Sequence, residues 1–203
     1  MYLIVDFEAT CWKKDTPEGR RKTNRNENEI IEIGAAIVND SFQMISSLGL
    51  FVKPILNPVL SDFCKQLTTI TQEDIDNAEP LSKAWIKFEN DVRLITDKML
   101  SEFVFCSWGH YDRRQLKRDL DRHGLQFPFT YHVSLKHDFL DRTGKRFGVG
   151  QALQYFGLQF EGTQHRGVDD AKNIARIFAI EWKSTGFILR DDHKCATQDM
   201  LKS

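Results

Sequence analysis

Met1-Tyr2-Leu3-Ile4-Val5-Asp6-Phe7-Glu8-Ala9-Thr10 is an apolar run that turns acidic toward its C-terminal end. It reads as a strand, and side chains alternate across a strand, so Tyr2, Ile4, Asp6 and Glu8 share one face. Two carboxylates one pleat apart repel and raise each other's pKa unless a positive charge lies between them. A hard divalent cation, Mg²⁺ or Mn²⁺, is the natural occupant, because such ions take oxygen ligands. Taken alone, the pair fits equally a strand end emerging into solvent.

Outward from that run, Ile30–Val38 and residues 42–52 read as strands joined by a tight Asn39-Asp40 turn, which makes an antiparallel meander with the first strand. Residues 74–97, with Ala84, Trp85, Phe88, Val92 and Ile95, read mostly as helix. Residues 103–107 form a short, wholly apolar strand, and 133–140 and 149–156 read as short helices ahead of a last, longer one.

Two of the helices carry acids in informative places. Asp112 is followed by Leu116 and Leu120 at helical spacing, so it points along its own buried stripe. A charge there is expensive unless paired or bound to metal, although an aspartate opening a helix also serves as an N-cap. In His165-Arg-Gly-Val-Asp169-Asp170, spacing separates the two aspartates. Asp170 leads to Ile174, Ile177 and Phe178 on the apolar face, whereas Asp169 leads to Asn173 and Arg176 on the polar one. Asp170 is the inward carboxylate, and Asp169 favours the helix N-terminus. His165 precedes Gly167 and is placed on the loop entering that helix.

With these residues in view, the chain resembles the DEDDh 3′-to-5′ exonucleases. Asp6 and Glu8 match motif I, Asp112 matches motif II, and His165 through Asp170 match the His-x4-Asp of motif III, in family order and spacing. The resemblance spans roughly Tyr2 to Trp182. It is closest to the enhanced-RNAi and histone-mRNA 3′ exonuclease branch, through Asp6-Phe-Glu-Ala-Thr-Cys11, Leu60-Ser-Asp-Phe-Cys64, Leu67-Thr-Thr-Ile-Thr-Gln72 and Val168 through Ile177. It implies an α/β, RNase H-like fold, a mixed five-stranded sheet flanked by helices, with motif I ending a central strand.

By the same resemblance, Asp6, Glu8 and Asp170 hold one Mg²⁺ or Mn²⁺, Asp6 and Asp112 a second, and His165 takes the proton of the attacking water. Phe63 and Leu67 pack on the terminal base, with Tyr111 or Trp108 opposite, and the backbone at Ala9 and Thr10 meets the 3′ sugar. That branch commonly has a tryptophan directly before the motif II aspartate; here Tyr111 holds that place and Trp108 lies four residues before Asp112. The implied activity is a metal-dependent 3′-to-5′ exonuclease releasing nucleoside 5′-monophosphates from single-stranded RNA, or DNA, 3′ ends. The rivals are a DNA exonuclease of proofreading type and a nucleic-acid-binding adaptor that keeps the fold without turnover.

Composition is that of an ordinary globular domain. The 203 residues are 41% hydrophobic and 28% charged, which suits one domain over 1–185 followed by a polar tail over 186–203. A net charge of −1 excludes a whole-surface polyanion binder, so attraction to nucleic acid has to come from local patches. Two are candidates: the basic insert within 13–29 (Lys13, Lys14, Arg20, Arg21, Lys22, Arg25) and the Arg113, Arg114, Lys117, Arg118 face. Either is also readable as solvated surface. The cysteines at 11, 64, 106 and 195 lack metal-ligand spacing, and no apolar run is of membrane length. Reduced thiols in a cytoplasmic setting are the expectation. The dipeptide His137-Asp138 resembles a metal phosphohydrolase motif but lacks partner histidines.

Overall fold

The computed structural model describes residues 1–13 and 27–195. Five strands, β1 (Tyr2–Ala9), β2 (Ile30–Val38), β3 (Met44–Phe51), β4 (Val104–Ser107) and β5 (Tyr131–Ser134), form one sheet in the order β3-β2-β1-β4-β5. β1, β2 and β3 are antiparallel neighbours, β4 runs parallel to β1, and β5 parallel to β4. The helices are α1 (Asp62–Thr68), α2 (Gln72–Asp76), α3 (Leu81–Thr96), α4 (Tyr111–Arg122), α5 (Leu135–Thr143), α6 (Val149–Tyr155) and α7 (Gly167–Thr185). This is the mixed five-stranded sheet flanked by helices that the family resemblance implies.

Alternation along β1 divides the core. Leu3, Val5 and Phe7 join Trp85, Phe88 and Val92 of α3 and Leu116 and Leu120 of α4 in one cluster. Ile4 faces the opposite cluster, with Leu135 and Phe139 of α5 and Ile174, Ile177 and Phe178 of α7. Asp6 and Glu8, in register with Ile4, therefore fall on the α7 side. Every residue of β2 is buried, as expected for a strand covered on both faces.

Three local expectations change. Residues 133–140 do not begin as helix: Tyr131–Ser134 pairs with β4 and α5 starts at Leu135. Four residues, Tyr-His-Val-Ser, are too few to carry a period that separates strand from helix, so pairing with β4 decides it. The long helix over 74–97 is broken, because Pro80 has no N–H to donate; α2 ends at Asp76 and α3 begins after Pro80. The turn at Asn39 runs on to Gln43, and Phe42, at φ 59°, tucks its ring against Tyr2 and Phe178.

The segment read as a polar tail is described as far as Cys195 and lies on the domain. Phe187 packs edge-on against Tyr2, and the Cys195 N–H donates to Thr130 O at 2.8 Å. Of the basic insert, only Lys13 falls within the described residues. No helix among the described residues is long and apolar enough to cross a membrane.

Candidate active site

β1 and β4 pair only from Tyr2 to Ile4. Beyond that the sheet opens, and the Phe7 N–H, between the two acids of β1, is free to be taken from the side. The first turn of α4 fills the gap: Asp112, 5% exposed, accepts the Phe7 N–H through Oδ1 at 3.1 Å. Asp112 thus reaches Asp6 around the strand end, from the face opposite α7.

α7 arrives from the other side, and two glycines let it come close. A Cβ on Gly34 would lie 1.8 Å from the Gly167 carbonyl carbon, and a Cβ on Gly167 would lie 2.7 Å from Asp6 O. The start of α7 therefore rests on β1 and β2 with no side chain between. Asp170 then faces β1, and one carboxylate oxygen each of Asp6, Glu8 and Asp170 lie within 4.8 Å of one another. Asp112 stands beside this trio, outside that radius.

The separation of the two aspartates follows the helical spacing. Asp169 turns outward, accepting from Thr163 N at 3.0 Å and pairing with Lys172 Nζ at 3.1 Å. Its neighbour on the expected polar face, Asn173, is instead fully buried and clamps residue 161, taking Glu161 N through Oδ1 and donating to Glu161 O through Nδ2. The helical period alone does not reveal this, because the loop that covers that face is irregular.

The electrostatics of the cluster are unbalanced. Burial, then Asp112, Asp170, Glu8 and Glu32, holds the Asp6 carboxyl far above the usual range. Burial and Asp170 push Glu8 up to about 9. Burial lifts Asp112 to about 6 against hydrogen bonds from the Phe7 N–H, its own N–H and the Ser107 hydroxyl. Asp170 is also raised to about 6 by burial, against donation from the His165 N–H. No lysine or arginine among the described residues is paired with any of the four. Converging hard oxygen donors that resist ionising without a counter-charge fit a divalent cation.

His165 is exposed on the loop before α7, with left-handed backbone at φ 61°, and its N–H donates to Asp170 Oδ2 at 2.8 Å. The loop is pinned from below by a residue the sequence reading passed over. Glu32 of β2, 1% exposed, accepts from Gly167 N at 3.0 Å and from Arg166 Nε at 3.2 Å. Directly opposite Glu8 in the strand register, it ties motif III to motif I. The signal was present: an acid inside Ile30-Ile31-Glu32-Ile33, where burial of an unpaired charge is costly.

The base-contact candidates sit around the same strand end. Ala9 O faces Cys64 Sγ of α1 at 3.7 Å, which brings α1, with exposed Phe63 and half-buried Leu67, alongside. Thr10 is buried, and its Oγ1 accepts from Glu29 N at 3.0 Å. Trp108 is tethered, its Nε1 donating to Phe147 O at 3.1 Å and its ring against Phe139. Tyr111 stays adjacent to Asp112, half-buried near Asn28. Asp138, of the discounted dipeptide, is structural: it accepts from Trp182 Nε1 at 2.6 Å and Arg142 Nε at 2.8 Å.

A family model described as Exonuclease matches residues 3–178. ERI1 exoribonuclease 2 of Xenopus laevis is 31% identical over 202 residues, covering 86% of this chain but 27% of that protein. The 3′-5′ exonuclease Snipper of Drosophila melanogaster is 31% identical over 192 residues, covering 86% of this chain and 66% of the relative. The solved nuclease domain of 3′hExo, a DEDDh family member bound to rAMP, superposes with a TM-score of 0.81 at 27% identity, covering 96% of each chain. The chain thus spans about a quarter of the Xenopus relative and two thirds of the Drosophila one.

Proposed function

The chain belongs to the exonuclease family, in its DEDDh branch, and on that premise we propose that it removes nucleotides from single-stranded 3′ ends, RNA ahead of DNA, as nucleoside 5′-monophosphates. One observation carries the reading: three carboxylates from β1 and α7 converge within 4.8 Å, with a histidine loop hydrogen-bonded to the same Asp170. Asp6, Glu8 and Asp170 would hold one divalent cation, and Asp6 with Asp112 a second, either Mg²⁺ or Mn²⁺. When bound, such a pair supplies an activated water and charge compensation at the leaving 3′-oxygen.

The chain's own residues do the rest. His165, on its exposed loop, accepts the proton of the attacking water at an imidazole nitrogen. Phe63 and Leu67 of α1 offer an apolar face to the terminal base, with Tyr111 rather than the tethered Trp108 opposite. Ala9 and Thr10 line the sugar. Stacking accepts any base, because every base has a π-face, so sequence preference is low.

Paired all-ribose and all-deoxyribose oligomers of one sequence test the reading, since the two differ only in the 2′-hydroxyl. The expected result is stepwise loss of nucleoside 5′-monophosphate from the 3′ end in Mg²⁺ or Mn²⁺, faster on ribose. Faster deoxyribose turnover would favour a proofreading-type enzyme. Binding without turnover in either metal would leave an adaptor on the same fold.

A further inference from the structure

β1, β4 and β5 point the same way, so the segments that follow them emerge on one edge of the sheet, the edge that carries Asp6 and Glu8. β3 ends there too, being antiparallel to β2. Ligands favour the crevice beyond the carboxyl ends of such strands. The two flanks of this edge differ in chemistry. Beyond β3 it is apolar: Ile55, Leu56 and Val59 are 50%, 52% and 74% exposed, on a loop whose amides at 55–57 wrap the Glu29 carboxylate. Lys53 and Lys65 on that flank are engaged by Asp76 O and Asp62.

Beyond β4 and β5 the edge is cationic. His110, Arg113 and Arg114 follow β4, and Lys136 and His137 follow β5. The His110 and His137 rings stack with centroids 4.7 Å apart, which joins the two groups into one surface. Arg146 is brought alongside by the Trp108 indole bond to the next residue, Phe147. Farther along α4, Lys117 is paired with Asp121 and Arg122 with Asp119, and Arg118 donates to the Gln115 amide oxygen. Arg113, Arg114, Lys136 and Arg146 have no carboxylate partner among the described residues. Arginines in the first turn of a helix also face the positive end of its dipole, so helix stability does not account for Arg113 and Arg114.

We propose that this strip is a phosphate track: the strand whose 3′ end enters the carboxylate site leaves across the ends of β4 and β5, its backbone lying on these cations. Cations strung over two helices and a loop match a chain of regularly spaced anions better than a single phosphate. The inference rests on the exonuclease reading and adds the path the substrate takes.

The test is the double variant Arg114→Ala, Lys136→Ala of the full chain, binding a labelled long single-stranded RNA in EDTA over a range of salt. Two lost contacts at about 0.7 each reduce the log–log salt slope by about 1.4, with weaker binding at low salt and unchanged hydrolysis of a dinucleotide in Mg²⁺. An unchanged slope and affinity overturn the track. The two readings fail separately. Wild-type protein that hydrolyses nothing, with a slope that still falls in the variant, removes the exonuclease and keeps the track. Normal hydrolysis with an unmoved slope does the reverse.

Discussion

Two adjacent aspartates should have opposite effects on stability in the absence of metal. Asp170 sits against the carboxylate cluster, its carboxyl lifted from 3.8 to about 6, chiefly by burial. At roughly 1.4 kcal/mol per pH unit that is about 3 kcal/mol; partial exposure to solvent cuts it to about 1–2 kcal/mol. The folded pKa is above the unfolded one, so the penalty is absent below about pH 4 and complete above about pH 6. Asp170→Asn should therefore stabilise the protein in EDTA at about pH 8, while its side-chain oxygen still accepts the His165 N–H. For a domain of this size the midpoint rises by about 2–4 °C per kcal/mol. Asp169 has the reverse sign. Burial raises it, but the Thr163 N–H and Lys172 outweigh burial and hold it low. Its contribution is present above the unfolded pKa and lost as pH falls through the folded one, so Asp169→Asn should cost about 0.5–1 kcal/mol at about pH 8. Both differences should vanish in strong acid. Saturating Mg²⁺ should reverse the Asp170→Asn gain, because only wild type gains the full binding energy. Thermal melts of the three proteins across pH, with and without EDTA, supply the comparison. Equal destabilisation by both substitutions in EDTA at about pH 8 would refute the inward placement of Asp170.

Other outcomes follow from single contacts. His165→Ala should keep Mn²⁺ affinity while slowing single-turnover hydrolysis by about 10²–10⁴-fold, the usual contribution of a positioned base. Gly167→Ala would press a methyl to 2.7 Å from Asp6 O; calorimetry should show a loss of about 1–3 kcal/mol and a drop in Mn²⁺ affinity. Trp182→Phe removes the 2.6 Å donation to buried Asp138 and should cost about 1.5–3 kcal/mol in urea titration, with Mn²⁺ affinity unchanged.

What was legible in the chain depended on length of pattern. α7 runs 19 residues, long enough for its period to assign Asp170 inward and Asp169 outward. The first strand showed Asp6 and Glu8 on one face because alternation holds over its eight residues. β5, at four residues, was too short to declare itself, and only its pairing with β4 makes it a strand. Glu32 escaped notice because its partners, Gly167 N and Arg166, lie more than a hundred residues away. The tether of Trp108 is equally non-local, a hydrogen bond to the carbonyl of Phe147. Motifs announce the groups that do chemistry, whereas the residues that aim them announce themselves only through contacts.

The proposed chemistry requires Asp6 to be a metal ligand. Mn²⁺ titration by calorimetry, run beside hydrolysis of a 3′-labelled single-stranded RNA for wild type and Asp6→Asn, tests this most directly. The expected result is a folded variant that has lost both tight Mn²⁺ binding and turnover, while wild-type turnover tracks metal occupancy and stops in EDTA. Near-normal turnover by Asp6→Asn at saturating Mg²⁺ would contradict it.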